Sequence, residues 1–222
     1  MWLQKNKYMK YKAIIFDLDG TLTDTLYDLM LSTNHALRQM GWAERTLDEV
    51  RQFVGNGVRR LMEQAVPSDT EEEEFEECFA IFQEHYVEHC QDHTALYEGI
   101  APLLGELKSR GYKLAIVSNK LQPGVDELYQ AFFRDTIQVA IGERPDVRRK
   151  PFPDMVELAM KELGVQPGEC IYVGDSEVDM ATARNAGLPC ISVLWGFRDK
   201  DYLREIGAFH MVQTPAEILE LV

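Results

Sequence analysis

The sequence predicts an α/β fold in which a parallel sheet carries an inserted all-helical unit. Three observations predict it. Short continuous apolar runs recur along the chain, amphipathic stretches separate them, and residues 24–95 interrupt the alternation with no convincing strand. At 222 residues, 45% hydrophobic and 27% charged, the chain has the composition of a folded globular protein with one large domain or two small ones.

The first run, Ala13-Ile14-Ile15-Phe16, suits a strand buried on both faces. Leu114-Ala115-Ile116-Val117, Ile171-Tyr172-Val173 and Cys190-Ile191-Ser192-Val193-Leu194 repeat the pattern, and 137–141 is a weaker version of it. Helical patterns fall at 101–110, 123–133, 154–163 and 178–186, with Gly111, Gly164 and Gly187 where helices should stop. Inside the interruption, Leu26, Leu29, Met30, Thr33, Leu37 and Met40 step at helical spacing up to Gly41. Thr46-Leu47-Asp48-Glu49 is a capping box that opens a second helix, and Gly55-Asn56-Gly57 separates it from a short third. Ser68-Asp69-Thr70-Glu71 is read as the box that opens a long fourth helix, with Phe75, Phe79, Phe82, Tyr86 and His89 on one stripe. His85, His89 and His93 repeat every four residues; packing explains them more simply than a metal site.

Lysine and arginine number 23 against 37 aspartates and glutamates, a net charge of −14. Nucleic acid and anionic membranes are therefore poor partners, whereas a small phosphorylated metabolite is acceptable if the site supplies its own positive charge. Cys78, Cys90, Cys170 and Cys190 form no C-x-x-C pair and read as buried thiols of a reducing compartment. The stretch 1–12 has no apolar centre of a signal peptide, and no run approaches the ~18 apolar residues of a membrane span. A cytoplasmic protein, monomeric or homodimeric, is expected.

Ligands of open parallel sheets bind beyond the carboxyl ends of the strands. The residues that follow the apolar runs are Asp17-Leu18-Asp19-Gly20-Thr21, Ser118-Asn119-Lys120 and Gly174-Asp175-Ser176-Glu177-Val178-Asp179, with Arg148-Arg149-Lys150-Pro151 after the weak run. Carboxylates gathered at one rim need a cation, and an all-oxygen set suits Mg2+. A lysine can stabilise spreading phosphoryl charge, and the turn after Val117 offers N–H groups and a hydroxyl. A calcium loop starting at Asp17 fails, because its sixth and twelfth positions are Leu22 and Asp28. Taken alone, Asp175 and Asp179 also read as helix-capping and first-turn carboxylates, and Lys150 as a solvated loop residue.

Together, however, Phe16-Asp17-Leu18-Asp19-Gly20-Thr21-Leu22, Ser118-Asn119, Lys150-Pro151 and the 174–179 segment resemble, in order, the four motifs of the haloacid dehalogenase superfamily. Val54-Gly55-Asn56-Gly57-Val58-Arg59-Arg60-Leu61 and Trp195-Gly196-Phe197-Arg198 are similar to segments of its phosphoglycolate phosphatase-like branch. The resemblance implies a Rossmann-like catalytic core, 1–23 and 96–222, with a helical cap at 24–95 that closes over the site. It implies a Mg2+-dependent phosphatase in which Asp17 is the nucleophile and Asp19 the general acid and then base. Ser118 and Asn119 would hold the phosphoryl oxygens and Lys150 would stabilise their charge. Mg2+ would be held by Asp17, the backbone carbonyl of Asp19, and Asp175, with Asp179 supporting the metal or Lys150.

The implied substrate is 2-phosphoglycolate, met on the cap side by Asn56, Gly57, Arg59 or Arg60. The two adjacent arginines point apart, so at most one faces the site. Alternatives are a sugar phosphate, nucleotide or pyrophosphate phosphatase, a phosphomutase, or a non-catalytic binding module. The β-phosphoglucomutase branch carries a histidine twelve residues after its nucleophile, where this chain has Leu29. A dehalogenase lacks a carboxylate at the position of Asp19, and a binding module has no need of both Asp17 and Asp19.

Overall fold

A computed structural model describes residues 10–222; residues 1–9, most of the stretch read above as no signal peptide, lie outside the described residues. Along the chain run β1 (Ala13–Phe16), β2 (Thr23–Asp24), α1 (Leu26–Gln39), α2 (Leu47–Phe53), α3 (Gly57–Ala65), α4 (Glu72–His89) and β3 (Ala95–Leu96). There follow α5 (Ile100–Ser109), β4 (Lys113–Leu121), α6 (Gln122–Leu128), β5 (Val139–Glu143), α7 (Asp154–Leu163), β6 (Cys170–Gly174), α8 (Glu177–Asn185) and β7 (Cys190–Val193). The described chain closes with α9 (Lys200–Glu205), β8 (His210–Val212) and α10 (Pro215–Ile218).

Six strands form one sheet in the order β5-β4-β1-β6-β7-β8, with every pairing parallel. This is the expected α/β architecture. β1 lies between β4 and β6, with Phe16 in register with Ile116 on one side and Val173 on the other. Alternation along β1 supplies both faces: Ile14 and Phe16 join one apolar cluster, Ala13 and Ile15 the other, and all four are fully buried. Burying each Ile or Phe contributes about 1.5–3 kcal/mol. The chain therefore leaves β1 at the centre of the sheet, with Asp17 held at the point where connections run off to either side.

Helices α1–α4 share a separate core that includes Leu37, Met62 and Phe82, and Phe197 from the segment after β7 packs into it. The two ends of this helical segment meet in a two-residue antiparallel ribbon, Thr23 opposite Leu96 and Asp24 opposite Ala95. A strand that short shows no alternation, so the sequence reading lacked it. Buried Asp28 accepts hydrogen bonds from the backbone and side chains of His93 and Thr94, at 2.8–3.1 Å, which ties α1 to the returning chain.

One expectation needs correction. Helix α4 begins at Glu72, with Glu71 and Glu74 as its capping pair; Thr70 Oγ1 instead donates to the Pro67 carbonyl, closing a turn. His85, His89 and His93 do not share a face. His93 lies past the end of α4 against Asp28, while His85 and His89 stack in a row with His35 of α1. All four cysteines are free thiols, and no helix among the described residues is long and apolar enough to cross a membrane.

Candidate active site

Asp17, Asp175 and Asp179 each bring a carboxylate oxygen within 4.8 Å of the others, and all three side chains are buried. Lys150 enters from the loop before α7. Its Nζ donates to Asp17 Oδ1 at 2.6 Å, to Asp179 Oδ1 at 2.8 Å and to Tyr172 Oη at 3.3 Å. Ionised together, three buried carboxylates against one ammonium would leave two negative charges in excess. Burial first, then repulsion by Asp179, pushes the Asp175 carboxyl up to about 7. The same two causes raise Asp17 well above the usual carboxylate range, against the pull of Lys150. Buried oxygen donors with that charge excess fit a hard divalent cation.

The three carboxylates have different surroundings. Asp179 is saturated: Oδ2 accepts from Asp175 N, Ser176 N and Ser176 Oγ at 2.7–3.2 Å, and Oδ1 accepts from Lys150 and, at 3.1 Å, from Tyr172. It anchors Lys150 and the turn into α8, so Asp17 and Asp175 are the better placed of the three to meet an ion. Asp175 is aimed by the Phe197 N–H, 2.6 Å from its Oδ2. Close packing requires glycine here. A Cβ on Gly174 would collide with Asp179, and one on Gly20, where φ is +87°, would stand 2.6 Å from Asp175 Oδ2.

Above the carboxylates is a cavity of about 40 Å3. Asp17, Asp19, Ser118, Asn119, Lys120 and Lys150 line it from the sheet side; Leu29, Gly55, Gly57, Leu61 and Tyr86 are among the residues that close it from the helices. Asp19, at 17% side-chain exposure, points its Oδ1 toward Lys120 Nζ at 3.5 Å. Ser118 Oγ accepts from Lys120 N at 3.1 Å. The Asn119 side chain works on the protein itself: its amide donates to the Gly55 and Lys150 carbonyls and its oxygen accepts from Lys150 N, joining three segments around the cavity.

The cap-side residues named from sequence divide. Gly57 lines the cavity and Asn56 does not. Arg59 turns outward to Glu63, Glu72 and Glu76 and lies over Phe75, and Arg60 pairs with Glu63. Neither arginine lines the cavity.

Sequence reasoning missed Tyr86, Lys120 and Tyr172 as site residues. Tyr86 continued an apolar stripe and Tyr172 an apolar strand, so both read as core. Lys120 sat beside Ser118-Asn119 at a strand end, which was the available signal. It is buried, and its Nζ donates to Tyr86 Oη. Burial opposes its charge, but Asp19 and Tyr86 outweigh burial and raise its pKa above the ordinary lysine value. Arg198 links the helices to the sheet side, donating to the Arg51 and Val54 carbonyls and to Glu177.

A model of the haloacid dehalogenase-like hydrolase family matches residues 14–193. The chain is 35% identical over 190 residues to the phosphoglycolate phosphatase of Aquifex aeolicus, covering 84% of this chain and 86% of that one. It is 35% identical over 214 residues to the phosphoglycolate phosphatase of Rhodobacter capsulatus, covering 94% and 96%. The crystal structure of a candidate phosphoglycolate phosphatase from Lactobacillus delbrueckii subsp. bulgaricus superposes with a TM-score of 0.91 at 36% identity, covering 96% of this chain and 98% of that chain.

Proposed function

This chain belongs to the haloacid dehalogenase-like hydrolase family, and on that premise we propose that it is a Mg2+-dependent phosphatase that hydrolyses 2-phosphoglycolate through an aspartyl-phosphate on Asp17. One observation carries the reading. Asp17 and Asp19 line the same small cavity, the first ion-paired to Lys150 and the second facing Lys120.

In this reading a carboxylate oxygen of Asp17 attacks phosphorus and the bond to the ester oxygen breaks. Asp19 gives that oxygen its proton. Asp19, now a carboxylate, takes a proton from water; the water oxygen attacks phosphorus, and the bond to Asp17 breaks to release inorganic phosphate. Lys150, held by Asp179 and Tyr172, stabilises charge on the phosphoryl oxygens. A divalent ion held by Asp17, Asp175 and the Asp19 carbonyl would screen nucleophile from phosphate. Ser118 supplies a hydroxyl, and Asn119, its side chain engaged elsewhere, can supply only its backbone N–H. Helices α1–α4 act as the cap that excludes water. Free thiols suit a reducing cytoplasm. Leu29 in the cavity disfavours transfer to a second substrate, since the mutase branch needs a histidine there.

The test is turnover of 2-phosphoglycolate, a hexose phosphate, a nucleoside monophosphate and pyrophosphate, with Mg2+ and with EDTA. Preferred hydrolysis of 2-phosphoglycolate, abolished by EDTA and by Asp17→Asn, is expected. Preference for a hexose phosphate overturns the substrate, and no turnover of any ester overturns the phosphatase.

A further inference from the structure

We propose that Lys120 reads the carboxylate at the non-reacting end of the substrate, and that the Tyr86–Lys120 pair is the wall that confines the leaving group to a short acid. The inference rests on the phosphatase reading above and assigns its specificity to residues of this chain.

Two cations line the cavity, Lys150 and Lys120. An ammonium has three N–H donors. Those of Lys150 have Asp17, Asp179 and Tyr172 as partners. Lys120 Nζ has Tyr86 Oη and, at the long distance of 3.5 Å, Asp19 Oδ1. A buried ammonium with donor capacity to spare is costly unless an anion completes it. Its placement suits one kind of anion. Asp19 is the group that faces the leaving oxygen, and in a 2-phospho acid the carboxylate carbon is two bonds from that oxygen. A carboxylate there falls beside Lys120, which a leaving group without one leaves to Tyr86 and the distant Asp19.

The position is built from three elements. Lys120 ends the inward-facing part of β4, Tyr86 reaches it from α4, and Gly124 of α6 leaves room for its stem, since a Cβ there would stand 3.1 Å from Lys120 Cε. Behind the pair is a second cavity of about 130 Å3, with Phe82, Val87, Cys90, Leu121 and Pro123 among its apolar lining. Tyr86, Lys120 and Val58 line both cavities. The pair is thus a partition: a longer or bulkier leaving group meets it instead of the space beyond.

The test compares 2-phosphoglycolate with ethyl phosphate, which has the same skeleton without the carboxylate. Wild-type enzyme is expected to prefer 2-phosphoglycolate in kcat/KM by about 100-fold, the range of one charge-assisted hydrogen bond. Lys120→Met should reduce that preference to under tenfold, chiefly through KM for 2-phosphoglycolate; a cost exerted through Asp19 falls on both esters and leaves the ratio unchanged. Tyr86→Phe, which keeps the ring, should raise KM for 2-phosphoglycolate alone by about fivefold. Tyr86→Ala, which joins the two cavities, should confer turnover of phenyl phosphate. Parallel losses on both esters mean that Lys120 acts only through Asp19 or the fold, and overturn the assignment. A wild-type preference near one overturns it without any variant. Wild-type turnover of ethyl phosphate with none of 2-phosphoglycolate overturns the substrate reading beneath it.

Discussion

Lys150 Nζ lies 2.6 Å from Oδ1 of Asp17, so the proposed nucleophile is ion-paired before any substrate arrives. The pair opposes, without cancelling, the burial and the two neighbouring aspartates that push this carboxyl toward its neutral form. Asp179 holds the other side of the ammonium at 2.8 Å and fixes where that charge stands.

Replacing Lys150 by alanine should therefore act twice. Turnover should fall on the order of 10²–10³-fold, as for other losses of a charge-stabilising group. The apo protein should lose about 3–5 kcal/mol, because three buried carboxylates are left uncompensated. Steady-state kinetics and denaturant melts check both; a rate loss below tenfold moves Lys150 to a purely structural role.

The raised carboxyls predict how stability depends on pH. The folded protein retains protons on Asp175, at about 7, that an unfolded chain with carboxyls near ~4 releases. Their contribution is complete below about pH 4 and is lost as pH rises to about 7, on the order of 4 kcal/mol for Asp175. Asp17 is displaced in the same direction. In EDTA the melting temperature should fall from pH 5 to 7.5. Mg2+ should protect increasingly over that range, because it binds the ionised form. Equal pH profiles with and without Mg2+ would count against the cation site.

Gly174→Ala should cost more than 2 kcal/mol and most of the activity. The new methyl would have to displace Asp179, which carries Lys150 and the turn into α8. Melting temperature and kcat should fall together; near-wild-type values would show that Asp179 has room to move.

Arg59→Ala tests the cap expectation directly. The side chain is 41% exposed and paired with glutamates on the outer surface of α3 and α4. Its loss should cost under ~1 kcal/mol and leave kcat/KM for 2-phosphoglycolate within about twofold. A tenfold rise in KM would restore Arg59 as a substrate contact.

The sequence by itself determined the order of the strands' carboxyl-end loops and the residue types on them. Periodicity is local, so Ala13–Phe16 announces a strand buried on both faces, and Thr46 with Glu49 announces a helix start, without reference to the rest of the chain. Asp17, Lys150, Asp175 and Asp179 were legible only together, through the resemblance of four ordered segments to the motifs of one family. Tertiary structure alone decided what each side chain does there. Asn119 could have faced phosphate but is used on the Gly55 and Lys150 carbonyls; Arg59 could have faced the cavity but found three glutamates outside. Tyr86 and Lys120 stand 34 positions apart on different elements, and neither pattern hints at the other. Hydrophobic periodicity reports which face of an element is buried, whereas partner choice among polar groups depends on distances that exist only once the folded chain brings Tyr86 of α4 beside Lys120 of β4.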